Sequence, residues 1–269
     1  MRLSLYALAA VFAASAVPAS AAQIDVFSGS GADAAAITPF VNQFRASLGD
    51  PNNANAAGTQ GGGRREINWD GGGNAAAATV FANPLVLFAS RGNISTTPGT
   101  GMEFSGQPSP RFGDINPQYP GIFQAFSAPR LFAPLGSNIL DTTFTVPGTT
   151  NVAARSAGFG AVFVDVDMAD TTKLEFFDSL GNLLLSEFVP VADNGLSFVG
   201  VDFNENVVAR VRMTLGNAAL GPNDGGSTDV VVLDDFIFGE PSQVAEPASL
   251  ALMFGGVAAA AFGRRRRAA

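Results

Sequence analysis

From the middle of the chain onward, apolar and polar positions alternate with a period of two, the spacing that lets a strand bury one face. Residues 159–168 set Val162, Val164, Val166 and Met168 on one side and Ala161, Phe163, Asp165 and Asp167 on the other. Residues 173–177 and 183–189 flank Asp178-Ser179-Leu180-Gly181-Asn182, which has the composition of a hairpin loop. Residues 196–203, 207–215 and 230–238 continue the series. Earlier in the chain, short apolar runs broken by Gly, Pro and Asn predict strands at 24–27, 84–90, 102–105, 122–126 and 139–146. Residues 64–71 predict a short strand and turn, and the Asn/Ala/Gly-rich stretch 51–63 a surface loop. A helical period shows once. Ile37, Phe40, Val41, Phe44 and Leu48 share a face, with Thr38 as the expected N-cap, Pro39 at the first helical position and Gly49 past the end. Strands without intervening helices predict an all-β fold, an antiparallel sandwich of jelly-roll type with one short N-terminal α-helix. We expect one domain over residues 23–240, with no internal repeat.

The two ends read as processing segments. Met1 and Arg2 are followed by an apolar run to Val17, then Pro18 and Ala19-Ser20-Ala21. A positive start, a short apolar core and an Ala-x-Ala site predict a signal peptide over residues 1–22, with Ala19 and Ala21 at the cleavage site and a Sec-type machinery as partner. The apolar run is too short for a membrane span. At the other end, Val244-Ala245-Glu246-Pro247-Ala248-Ser249 precedes an apolar run to Gly263 and the cluster Arg264, Arg265, Arg266 and Arg267. As a helix, residues 248–263 would be about 24 Å long, just short of a hydrocarbon core.

This three-part tail, residues 241–269, resembles the PEP-CTERM sorting signal of Gram-negative bacteria. Glu246 and Pro247 match that motif, while Ala245 stands where its first proline would be. The resemblance implies an apolar sorting helix held transiently in the inner membrane, with its arginines on the cytoplasmic side. It also implies an exosortase-type membrane protease as partner and a final location at the cell surface or outside the cell. Residues 64–71, residues 156–167 and Leu233-Asp234-Asp235-Phe236-Ile237-Phe238 further resemble a group of exported PEP-CTERM proteins. That likeness implies a shared fold and export, and no activity. The closing Leu-Asp-Asp-apolar strand is also similar to the last strand of extracellular jelly-roll adhesion and carbohydrate-binding modules.

Composition narrows the chemistry. The chain of 269 residues has no Cys and no His, which excludes disulfide staples, histidine-ligated zinc and Ser-His-Asp catalysis. A net charge of −8 repels phosphate backbones, so no nucleic-acid partner is expected. The aspartates fall in two groups, Asp165, Asp167 and Asp170, then Asp224, Asp229, Asp234 and Asp235. Hard carboxylate oxygens on loops and strand ends suit structural calcium, and Asp165, Asp167, Asp234 and Asp235 are its candidate ligands. The same residues also serve as ordinary turn and strand-end acids. The spacing is not that of an EF-hand. Trp69, the sole tryptophan, is either a core residue or a platform for sugar stacking. The expected role is a non-enzymatic surface or matrix protein associated with extracellular polysaccharide in a biofilm. A calcium-dependent carbohydrate-binding module is the alternative. A secreted glycoside hydrolase would need a carboxylate pair from Glu66, Asp70, Glu103, Glu175, Glu187 or Glu205, which sequence alone does not pair.

Overall fold

The computed structural model describes residues 23–243; the signal-peptide, sorting-motif and apolar-helix expectations lie outside them. Thirteen strands form two antiparallel sheets. The strands are β1 (Asp25–Gly31), β2 (Arg64–Ile67), β3 (Thr79–Phe81), β4 (Asn93–Thr96), β5 (Gly101–Phe104), β6 (Phe132–Leu135) and β7 (Ile139–Phe144). They continue as β8 (Gly158–Val166), β9 (Lys173–Phe177), β10 (Leu183–Phe188), β11 (Ala192–Asp202), β12 (Arg210–Thr214) and β13 (Val232–Gly239). Helix α1 (Ala34–Leu48) follows β1, and a single turn, α2 (Tyr119–Ile122), precedes β6.

The larger sheet runs β1-β11-β8-β13-β6-β5-β3, and the smaller runs β10-β9-β12-β7-β4. Phe159, Phe163 and Phe236 from the larger sheet meet Leu140, Phe176 and Met213 from the smaller in one apolar core. The outer face of the larger sheet is covered as well. Ile37, Val41 and Phe44 of α1, with Phe112, Tyr119 and Phe123, close over Val162, Val164, Phe198 and Ile237. That third layer explains why every residue of β8 and β13 is buried. A strand covered on both faces gains apolar contact from both parities of its sequence.

The edge of β13 away from β8 is divided between two partners. Leu233 pairs with Phe132 of β6, whereas Phe236 to Gly239 pair with Ile67 to Arg64 of β2. Between them the register against β8 slips, leaving Asp234 and Asp235 in a bulge. Trp69, just past β2, fills the gap by donating its Nε1–H to the Asp234 carbonyl at 2.7 Å.

Several expectations change. Helix α1 starts four residues before Thr38, capped by Asp33, whose carboxylate accepts the Ala36 N–H at 3.0 Å. The Ala-rich stretch after Asp33 favours helix and Asp is a strong N-cap, so the helix begins there. Pro39 therefore lies inside the helix, and Thr38 donates its hydroxyl to the Ala34 carbonyl. The run at 84–90 is no strand: residues 87–91 form a short 3-10 turn closed by Gly92 at φ +76°. The run at 122–126 follows α2 and leaves the helix at Phe123 without entering a sheet. Apolar content there serves the second core, through Phe123, rather than a ladder. Strands β3, β4 and β6 are only three to four residues long, and in β4 the buried positions are the polar Asn93 and Ser95, so no apolar alternation marks it.

Candidate metal centre

The parity expected along residues 159–168 breaks at Asp165. Its φ is +66°, and Val166 joins the inter-sheet core with Phe163 instead of following Val162 and Val164 outward. Opposite it, Val164 pairs with Leu196 and Val166 with Ala192, so residues 193–195 bulge out of β11. Asn194, at φ +53°, donates its backbone N–H to Asp165 Oδ1 at 2.6 Å. The paired irregularity carries Asp193 across to Asp165.

One carboxylate oxygen from each of Asp165, Asp167 and Asp193 lies within 4.8 Å of the others. The cluster grades from core to solvent: Asp165 is buried, Asp167 half-buried and Asp193 exposed. Asp167 Oδ1 is buried and accepts from no backbone N–H, amide, hydroxyl or cationic group among the described residues; the neighbour its carboxyl bonds is the Asp165 carboxyl. None of the described ion pairs reaches these three residues. Two further acids stand beside them. Asp229 Oδ1 accepts the Asp167 N–H at 3.2 Å, and Asp224 Oδ1 accepts the Val230 N–H at 3.1 Å. Burial pushes the Asp165 carboxyl up to about 8, and the charges of Asp167 and Asp224 add to the shift. Burial also raises Asp167, to about 6, with Asp224, Asp193 and Asp229 contributing. Burial and the Asp224 charge push the Tyr119 phenol upward too.

Uncompensated carboxylates at that spacing either retain protons or share a cation. Oxygen-only donors, three of them anionic, fit a hard divalent ion such as calcium, which takes six to eight oxygens. The unpartnered Asp167 oxygen meets the same requirement, since a buried acceptor without a donor is costly unless something supplies positive charge. Asp165, Asp167 and Asp193 are the residues that can hold it.

The two aspartate groups read from the sequence are sorted differently in space. Asp170 is exposed in the turn after β8 at φ +64° and stays out of the cluster. Asp224 and Asp229 join Asp165 and Asp167, as does Asp193, which the sequence reading did not single out. Its signal was the Asp193-Asn194-Gly195 run inside an otherwise apolar strand, the composition of a bulge. Asp234 and Asp235 belong elsewhere. Asp234 Oδ2 accepts the N–H groups of Phe126 at 2.7 Å and Ser127 at 3.2 Å. The Ser127 hydroxyl stands 2.6 Å from Asp235 Oδ1, 3.2 Å from Asp234 Oδ1 and 3.1 Å from Asp70 Oδ2. Burial raises both members of this pair, and each sits beside the other. Among the described residues, no three-acid group spaced for a metal includes them. Their donors come from the chain itself, so they bind the 126–130 segment to the bulge of β13.

Trp69 is a core residue. Of the two uses weighed for it, core or sugar platform, its geometry is that of the core: it is 2% exposed and stacks on Phe132 with ring centroids 4.1 Å apart. Ala19, Ala21, Glu246, Pro247 and the four arginines Arg264 to Arg267 lie outside the described residues.

No protein-family model and no curated protein matches the chain. Among solved structures, the enzymatically active domain of tailspike protein 4 of bacteriophage CBA120 is similar at a TM-score of 0.27 and 11% identity. The likeness covers 63% of this chain and 20% of that one. The chain thus spans about a fifth of that structure's length.

Proposed function

We propose that this is an exported, non-enzymatic protein of the cell surface or extracellular matrix, whose jelly-roll-like sandwich is completed by calcium on Asp165, Asp167 and Asp193. The unpartnered, buried oxygen of Asp167 within a carboxylate cluster carries the calcium half of this reading. The two ends of the sequence carry the export half. They agree physically: a site of few protein ligands binds weakly, and extracellular calcium modules work at dissociation constants of about 0.1–1 mM. A non-enzymatic role accords with how three of the six candidate hydrolase acids are spent, while Glu103 is buried without a described ion pair and raised by burial. Glu66 holds Arg45 and Arg64, Glu175 meets Lys173, and Asp70 accepts the Arg130 N–H. Extracellular polysaccharide is the proposed environment and partner.

Isothermal titration of the full chain tests the site. We expect saturable calcium binding that weakens at least about tenfold in Asp167→Asn, which loses one anionic ligand. Absence of calcium binding, or an unchanged affinity in that variant, refutes the site. Export is tested separately: replacing Glu246 and Pro247 by Ala leaves unprocessed protein in the membrane, and normal release of that variant refutes the sorting reading.

A further inference from the structure

A concavity of about 440 Å³ opens between the β3 side of the larger sheet and the 87–91 turn. Its walls are Phe81, Phe88 and Phe104, with Trp69 behind them, and its polar groups are Asn55, Asn68, Ser90, Arg91 and Arg130. It shares no lining residue with the Asp165 cluster. The chain has 23 acids and 15 bases, yet the cleft's own lining holds two arginines and no carboxylate; Glu66 and Asp235 line the adjoining concavity that shares Asn68 and Arg91. Neither arginine is in a described ion pair.

The two cations differ in what they have left to offer. Arg130 is buried and spends its guanidinium on the carbonyls of Ser105, Gly71, Ala77 and Phe104 and on the Thr79 hydroxyl. It supplies fixed positive charge and lies over the Phe104 ring at 5.4 Å. Arg91 donates Nε–H to Asn55 Oδ1 at 2.9 Å and Nη1–H to the Glu66 carbonyl. Its Nη2 has no acceptor among the described residues, and its guanidinium lies 5.7 Å from the Phe88 ring centre. Burial, with the nearby Arg65 charge, holds Arg91 below its ordinary pKa against the opposing pull of Glu66, and burial does the same for Arg130 against Asp70. An anion in the cleft would relieve both.

We infer that this cleft binds an acidic sugar residue of a polysaccharide, with the sugar carboxylate on Arg91 Nη2 and the ring against Phe81 and Phe88. The chemistry fits part by part. A pyranose has an apolar face suited to half-buried aromatic rings, hydroxyls suited to the amides of Asn55 and Asn68, and in a uronic acid a carboxylate suited to a guanidinium. The volume lies in the range of small-ligand sites with a few convergent polar groups. Leu87, half exposed at 52%, and Val86 continue the apolar rim along the turn, where the next sugar of a chain would lie.

The test is titration of the full chain with a tetragalacturonate oligomer and, in parallel, with its neutral methyl ester, in calcium and in excess chelator. Fluorescence of Trp69 reports binding, because its ring is 5.1 Å from that of Phe88. We expect saturable binding of the acid form, weaker by about tenfold or more for the ester, the size of a charge-assisted hydrogen bond. Binding should persist in chelator, which separates this cleft from the calcium site. Arg91→Gln should lose it by a similar factor. Asn68→Ala removes an exposed side chain that makes no described hydrogen bond, so it should weaken binding without lowering the melting temperature. Absence of saturable binding to the acid oligomer, equal affinity for the ester, or unchanged binding in both variants overturns the inference.

Discussion

Gly200 of β11 and Gly160 of β8 face each other in register and form a flat seat for the ring of Phe44 on α1. A Cβ added at Gly200 would stand 2.7 Å from Phe44 Cγ, 2.9 Å from Phe44 Cδ1 and 2.9 Å from Phe198 Cζ. The nearest contact falls short of ordinary van der Waals separation by roughly 0.7 Å. Both rings are fully buried, so neither has solvent to move into. Replacing Gly by Ala restrains the unfolded chain and by itself stabilises by about 0.4–1 kcal/mol. Overpacking a core costs about 1–3 kcal/mol, so the steric effect wins. Gly200→Ala should therefore destabilise by about 1–2 kcal/mol, read as a lower urea midpoint with an unchanged slope. In a Phe44→Ala background, itself costing about 3–5 kcal/mol, only the Phe198 Cζ contact at 2.9 Å remains, so the same change should cost less than in the parent. A neutral Gly200→Ala, within about 0.5 kcal/mol of the parent, or strict additivity with Phe44→Ala, would refute the close docking of α1 on this sheet.

Other outcomes follow from the buried charges. Arg65 is fully buried and grips Glu240 with two bonds, Nε to Oε2 at 2.8 Å and Nη2 to Oε1 at 2.7 Å. Glu240→Ala strands that cation and should cost about 3–5 kcal/mol in urea unfolding; a loss under about 1 kcal/mol would mean that the pair behaves as an exposed one. In chelator, stability should fall as pH rises. The Asp165 and Asp167 carboxyls sit at about 8 and about 6, above the 3.8 of an ordinary aspartate. Their stabilising contribution is complete near pH 4 and is lost as pH climbs through those values. A melting temperature that rises between about pH 5 and 8 in chelator would contradict the charge crowding. Asp165→Asn removes the crowding charge, so at pH 8 in chelator it should melt above the parent while no longer responding to calcium.

Much of the sandwich was legible because alternation and turn composition agree there. β9 matches its expected bounds, and the Asp178 to Asn182 loop before β10 announces itself through Gly181, which adopts φ +85°. The helix was legible on its buried face, through Ile37, Val41 and Phe44, but not at its start. Proline at a first turn and a preceding threonine imitate a helix beginning, and only the carboxylate of Asp33 on the Ala36 N–H shows where it lies. The candidate centre was half legible. Asp165 and Asp167 stood out as an acidic pair, but a period of two carries no trace of the bulge that aims them. Asp193 lies across a strand pairing that sequence separation hides. Asp234 and Asp235 looked equivalent to the first pair because composition does not distinguish a carboxylate that accepts backbone N–H groups from one that lacks donors. Trp69 owes its burial to a gap between β2 and β6, a property of the assembled sheet.

The central claim is that Asp165, Asp167 and Asp193 hold calcium and that the ion stabilises the sandwich. The direct measurement is the melting temperature of the full chain at about pH 7.5 across a calcium series and in chelator. A ligand at about 100 times its dissociation constant adds about 2.7 kcal/mol, which in a body of this size raises the melting temperature by roughly 5–10 °C. We expect that rise in the parent and, at the same calcium concentration, about half of it or less in Asp167→Asn. A melting temperature that does not move with calcium would contradict the claim and leave the cluster as buried acids that hold protons.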